Sequence, residues 1–194
     1  MTTTPKILAF AGSLREGSVN KRLAKIALLA AQEAGAETTF VDLRDYQMPL
    51  YCEDYESEHG IPDSVIALKE LMKSHNGFLI ASPEYNGSLT GIMKNTIDWM
   101  SRPYADDPRM ACFNGKIAGL MAASPGGLGG IRGLSHLRTI LAGIGVFVLP
   151  NHVAVGQSET NLVDDESVKS EPLQAAITNL SGEMVRVIRG LHSK

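Results

Sequence analysis

Apolar and polar positions along the chain switch repeatedly between two periods. Lys6 to Ala11 (KILAFA) is a short, almost wholly apolar run ending in Gly12-Ser13. That is the pattern of a strand buried on both faces, as in a parallel sheet. Val19, Leu23, Ile26, Ala27, Ala30, Ala31 and Ala34 then recur at helical spacing, with Gly35 as the C-cap. Thr39 to Leu43 interleaves polar and apolar residues as an edge strand does, and Gly60 and Pro62 open a second helix striped by Val65, Leu68 and Met72. Phe78 to Ala81 is the third strand, and Leu89, Met93, Ile97 and Met100 mark the third helix. Ile117 to Ala123 is the fourth strand, followed by a helix carrying Leu134, Leu137, Leu141 and Ile144. Val146 to Leu149 is the fifth strand. After a polar loop, Leu173, Ile177, Leu180, Met184, Val187 and Leu191 stripe the last helix.

Five strand–helix units with no repeat, low-complexity tract or linker predict a single doubly wound α/β domain over residues 1–194. The five-stranded parallel sheet is expected in the order 2-1-3-4-5, with helices on both faces as a three-layer sandwich. That order makes strands 1, 3 and 4 neighbours. Ligands in such sheets bind beyond the C-terminal strand ends, where the strand order reverses.

Composition narrows the function classes. Lys plus Arg total 18 and Asp plus Glu 21, for a formal charge of −3. A weakly acidic chain lacks the basic face that a dedicated nucleic-acid binder needs. No apolar run approaches the ~20 residues that span a bilayer, and the N-terminus carries no basic and apolar signal pattern. Neither nucleic acid nor membrane is an expected partner, and a cytoplasmic location is expected. Cys52 and Cys112 share no short spacing and build no disulfide framework.

The chemistry gathers in three loops after strands 1, 3 and 4. They read Gly12-Ser-Leu-Arg-Glu-Gly-Ser-Val-Asn20, Ser82-Pro-Glu-Tyr-Asn-Gly-Ser88 and Ser124-Pro-Gly-Gly-Leu-Gly-Gly130. The first offers hydroxyls from Ser13 and Ser18, the Asn20 amide, the Arg15 guanidinium and a helix N-terminus. Those are the parts of a phosphate site, since the helix amides and dipole favour an anion and Arg adds a charge-assisted contact. The blander use of Ser18 is as a helix N-cap. The second loop, with its Asn86-Gly87 turn, reads as a tight connection whose backbone could meet the edge of a planar ring, with Tyr85 against a face. The third has four glycines between Gly126 and Gly130. Such backbone entropy is tolerated where a ligand approaches the main chain closely, although a flexible loop has the same composition.

Competing motifs fail on particular residues. Gly12 and Gly17 have Walker A spacing, but Ser18-Val19 stands where Lys and Ser or Thr are required. GxGxxG is absent, neither cysteine precedes an arginine at the offset of a phosphatase loop, and Gly133-Leu-Ser-His-Leu137 misses GxSxG at Leu137. A mononucleotide phosphate remains. The segment from Cys52 through Glu53, Asp54, Glu56 and Glu58 to His59 matches no metal cage spacing and is read as an exposed acidic loop. Asp42, ending strand 2, is read as a cap or solvated residue, the scattered histidines as surface or structural, and Arg102 either as a helix cap or as reaching the site. No Cys or His lies in the three loops, so redox work would fall to a bound cofactor.

With these motifs the chain resembles the NADPH-dependent FMN reductase family and its quinone, azo-dye and chromate reductase relatives. The resemblance rests on Gly12 to Asn20, on Ser82 to Ser88, and on Lys94-Asn95-Thr96-Ile97-Asp98-Trp99, and covers nearly the whole chain. It implies a flavodoxin-like fold holding FMN. Ser13, Arg15, Ser18 and Asn20, with Val19 in the same turn, would bind its phosphate. Pro83, Glu84, Tyr85, Asn86 and Gly87 would line the isoalloxazine, with Ser124 and Gly126 near the ribityl chain or ring. It further implies NAD(P)H as co-substrate, a small-molecule electron acceptor, and a homodimer or homotetramer with the Asp98-Trp99 helix at an interface.

Two other functions use the same pocket. A flavodoxin-type electron carrier binds FMN without turning over a small substrate, but docking carriers rely on a strong charge field that −3 supports poorly. A flavin-binding regulatory protein is the third reading. For the enzyme, a ping-pong route is expected, because no second nucleotide fingerprint and no electron-storing side chain is present.

Overall fold

The computed structural model describes residues 4–192. Its centre is a parallel sheet of five strands in the order β2-β1-β3-β6-β7. These are β1 (Lys6–Ala11), β2 (Glu37–Val41), β3 (Gly77–Ala81), β6 (Ile117–Ala123) and β7 (Phe147–Val155). A two-stranded antiparallel hairpin, β4 (Glu84–Tyr85) and β5 (Ser88–Leu89), interrupts the numbering, so the sheet order is the expected 2-1-3-4-5 flavodoxin-like order. The helices are α1 (Val19–Glu33), α2 (Glu53–His59), α3 (Asp63–Lys73), α4 (Gly91–Met100), α5 (Ile131–Gly143), α6 (Ser158–Asn161) and α7 (Glu171–His192).

Strand side chains point alternately to opposite faces, and the core divides accordingly. Ile7, Ala9, Ala11, Leu79, Ala81 and Met121 pack under α1 and α7, against Leu23, Ile26, Ala27, Ile177, Leu180 and Met184. Leu8, Phe10, Phe78, Ile80, Leu120 and Ala122 face α3, α4 and α5 through Leu68, Met72, Met93, Trp99, Leu134 and Leu137. Both faces of β1, β3 and β6 are therefore covered, which is why those strands read as unbroken apolar runs.

Several boundaries differ from the sequence reading, each for a local reason. The second strand runs Glu37–Val41 rather than Thr39 to Leu43, because Asp42 caps a 3₁₀ turn over Leu43–Asp45 by accepting from the Arg44 amide (3.0 Å). The expected acidic loop is helix α2. Tyr51 and Tyr55 pack edge-on against Trp99, and Glu56 pairs with Arg102 (2.8 Å). The fifth strand continues past Leu149 to Val155. Its register against β6 jumps between the pairs Ala118–Val148 and Leu120–His152. The irregularity holds Pro150 on an edge strand, where a missing amide is tolerated. No helix among the described residues is long and apolar enough to cross a membrane.

Candidate functional site

At the C-terminal edge of the sheet the ends of β1, β3 and β6 are each tied to the next strand by the first residue of the following loop, and Ser158, just past β7, bonds back. The Gly12 amide donates to Ala81 O (2.9 Å), Ser82 to Met121 O (2.8 Å), Ser124 to Val155 O (3.0 Å) and Ser158 back to Ser124 O (3.1 Å). Four loops thus converge on one pocket. Ser13, Arg15, Ser18, Val19, Asn20, Pro83, Glu84, Tyr85, Ala123, Ser124, Pro125, Ser158 and Glu159 line it.

Ser18 occupies the N-cap position of α1 with extended backbone, yet its side chain makes no cap bond. Its carbonyl accepts from Lys21 (3.0 Å) and Arg22 (3.3 Å). Among the described residues, the Val19 and Asn20 amides have no acceptor, as is usual for the first turn of a helix. The Ser13 hydroxyl accepts from the Arg15 amide (3.3 Å), which folds the loop over the helix end. Arg15 is exposed, and among the described residues its guanidinium has no ion-pair partner. Free amides, a free cation and a helix dipole at one point make an anion site.

The Asn20 side chain is already engaged. Its amide donates to Ala123 O and its oxygen accepts from the Ala123 amide, both at 2.9 Å. It staples α1 to the end of β6, and its backbone N–H remains without an acceptor among the described residues. Glu84 is turned in a comparable way. Its carboxylate pairs with Arg132 and accepts from the Arg132 (3.0 Å) and Gly133 (3.1 Å) amides at the start of α5. Burial alone raises its pKa, but those bonds and the Arg132 charge outweigh it and hold the carboxyl below the usual value. Its carboxylate is thus committed to α5, and the second loop is latched to the start of the helix that follows the third.

That second loop is a hairpin rather than a plain connection. Asn86 and Gly87 both have positive φ (51° and 78°), the geometry of a tight hairpin turn that favours Asn-Gly. They sit at its tip, outside the pocket lining. His136 on α5 holds the hairpin through Ser88 Oγ (2.9 Å), and Tyr85 is 55% exposed at the mouth. Pro83 is buried in the wall.

In the third loop, the glycines divide by role. A Cβ on Gly129 (φ +63°) would lie 2.7 Å from the backbone at Ala154 and Val155, so it is a packing glycine against β7. Gly127 has open space beside it, and Gly126, also outside the lining, has only Ser124 Oγ at 4.0 Å. That leaves main chain a planar group could approach.

Sequence reasoning missed Ser158 and Glu159. Ser158 is fully buried, and among the described residues its Oγ is the buried side-chain polar atom with no hydrogen-bond partner. Its only sequence signal is its place just after the last strand. Other candidates resolve structurally. Asp42 pairs with Lys21 (2.6 Å) besides capping its turn, and Arg102 serves Glu56 rather than the pocket. Trp99 is fully buried, donating to Pro49 O (2.8 Å), so its side chain packs within the chain.

A tail that carries an anion and hydroxyls, joined to a flat ring, fits these groups. The α1 amides and Arg15 suit the anion, the unpartnered Ser158 hydroxyl a polar arm, and the wall of Pro83, Tyr85 and Pro125 a ring. The pocket walls hold no thiol or imidazole.

The family model described as NADPH-dependent FMN reductase matches residues 5–160. The chain is 35% identical over 162 residues to a 2-hydroxy-1,4-benzoquinone reductase of Burkholderia sp, covering 84% of this chain and 80% of that protein. It is 34% identical over 188 residues to the quinone reductase of Escherichia coli (strain K12), covering 95% and 94%. The flavoenzyme NAD(P)H:(acceptor) oxidoreductase FerB from Paracoccus denitrificans superposes with a TM-score of 0.79 at 28% identity, over 97% of this chain and 99% of that one.

Proposed function

The chain belongs to the NADPH-dependent FMN reductase family of oxidoreductases, and from that premise we propose that it is an FMN-dependent NAD(P)H oxidoreductase acting on quinone-like, azo or other small acceptors by a ping-pong route. The observation that carries this is the anion site at the start of α1 in a pocket whose lining also includes the buried, unpartnered Ser158 hydroxyl and contains no Cys or His. FMN bound there would supply hydride-transfer chemistry between NAD(P)H and an acceptor.

The protein's part is binding, orientation and access. Arg15 and the Val19 and Asn20 amides hold the phosphate, with the Ser13 and Ser18 hydroxyls beside them. Pro83, Glu84, Tyr85 and Ser124 would form the wall on the ring side, with Gly126 just beyond it in the third loop. Asn86 and Gly87 hold that wall in shape through the hairpin turn. The Glu84–Arg132 latch keeps the two ring-side loops at a fixed separation. Nicotinamide and acceptor enter in turn at the mouth beside Tyr85. The reading includes one domain and a homodimer or homotetramer in the cytoplasm. Oligomeric state is checked by light scattering on the eluted protein.

The deciding experiment is a visible absorption spectrum of the purified protein reconstituted with flavin, with heat release and chromatography, followed by steady-state NAD(P)H oxidation with a benzoquinone. Recovery of FMN with turnover is the expected result. FAD alone, or FMN without turnover, overturns the cofactor or the enzyme reading respectively.

A further inference from the structure

Buried hydroxyls in folded proteins are almost always hydrogen-bonded, because desolvating one without a partner is costly. Ser158 Oγ, at 0% exposure and with no partner among the described residues, breaks that rule on the wall of the candidate pocket. The position is tightly built. Gln157 before it takes a left-handed backbone (φ 48°), a conformation uncommon for a side-chain-bearing residue. The Gly156 backbone presses on the third loop, where an added Cβ would lie 2.6 Å from Gly127 O. The Ser158 amide is bonded to Ser124 O (3.1 Å), and its carbonyl accepts from Leu162 (2.9 Å). Arg22 on α1 donates to Leu162 O (3.0 Å), so this segment is tied to the helix whose N-terminus forms the anion site. A hydroxyl held this firmly and left unpaired marks where a ligand atom completes the bond.

We infer that Ser158 is a further flavin-binding residue, its hydroxyl bonding an oxygen of the ribityl-phosphate arm. The inference rests on the FMN reading above. Ser158 lines the same pocket as Ser18, Val19 and Asn20, its amide is bonded to Ser124 O and its segment is tied to α1 through Arg22, so it is assigned to the arm that runs from the anion site past Ser124. It brings a fourth strand end, that of β7, into cofactor binding. It also makes the apo state carry an uncompensated polar group that FMN relieves.

The test compares apo-protein of wild type, Ser158→Ala and the near-isosteric Ser158→Cys by FMN fluorescence quenching and by thermal melting without flavin. Ser158→Ala is expected to weaken FMN binding roughly 3- to 30-fold, with Ser158→Cys, a weaker donor, between it and wild type. The apo Ala variant is expected to melt at or above the wild-type temperature, since it removes a hydroxyl that has no partner to lose. Unchanged FMN affinity in Ser158→Ala, or an apo variant that melts lower, overturns the inference, because the hydroxyl is then idle or satisfied without flavin. If wild type itself fails to bind FMN, the cofactor reading falls first and this inference with it.

Discussion

Arg15 and Asn20 lie in the same turn and do opposite kinds of work. Arg15 is exposed with no ion-pair partner among the described residues, so its guanidinium is available to an incoming phosphate. Hydrogen bonds to charged groups contribute roughly 1.5–3 kcal/mol, so Arg15→Ala should lower FMN affinity about 10- to 150-fold. Riboflavin, which lacks the phosphate, should bind both proteins alike, and titrating both ligands checks the pair of expectations. An equal loss for riboflavin would show that Arg15 supports the loop instead. Asn20 is spent on the protein itself. Removing its amide in Asn20→Ala strands a donor and an acceptor of Ala123 in the interior. Each orphan costs about 1–3 kcal/mol, so apo stability should fall by at least about 2 kcal/mol in urea unfolding. An unchanged midpoint would return Asn20 to a purely ligand-binding role. The residue types of this turn were legible because the donors are contiguous in the chain. Their division of labour was not, because the Ala123 that occupies Asn20 lies 103 positions away. Ser158 was hidden for the same reason, since its burial on the pocket wall depends on the bond of its amide to Ser124 O. So was Lys69, a buried ammonium that holds Met100 O (3.0 Å) and Arg102 O (2.6 Å) at the end of α4.

Among elements, the hairpin and the start of α5 act as one unit through Glu84. A carboxylate at a helix N-terminus is stabilised by the free amides and the dipole, and here it also meets Arg132. Its pKa in the folded chain lies below the ordinary 4.5. Below that value the unfolded chain takes up the proton more readily than the folded one, so stability falls as pH drops from about 4.5 through the folded pKa. The contribution is fully present at neutral pH. Glu84→Gln removes this titration, and its urea midpoint should decline less than that of wild type between pH 6 and the acid range, from a lower starting value. Parallel declines would assign the acid sensitivity to other carboxylates. The long buried strands and helices were legible because their apolar period is sustained over many residues. Short elements were not. The hairpin strands are two residues each, and α2 has no buried residue of its own and leans on Trp99 of α4 and on Arg102 just beyond it. Asn86-Gly87 did signal a turn, yet a turn alone does not say whether two strands flank it.

At the scale of the whole molecule, the question is how two substrates meet one pocket. Four strand ends converge on it, and its lining contains no Cys or His to hold electrons between the two halves of a reaction. Asp42, the acid at the end of β2 that a second nucleotide's ribose could have used, is paired with Lys21 and the Arg44 amide. The Lys25 and Arg22 side chains beside it are engaged with Asp165 and the Leu162 carbonyl. A nucleotide seeking a separate site there would have to break those pairs. Nicotinamide and acceptor are therefore expected to compete for the same mouth beside Tyr85, with the first product leaving before the second substrate enters. Initial rates at several fixed quinone concentrations should give parallel lines in double-reciprocal form. The acceptor should inhibit competitively against NAD(P)H when in excess, because it then occupies the mouth before nicotinamide can. Tyr85→Ala, which widens that mouth at a residue already 55% exposed, should change the KM of both substrates while leaving the parallel pattern intact. Intersecting lines would require both ligands on the protein together, and with them a second binding surface that a neighbouring subunit would have to supply.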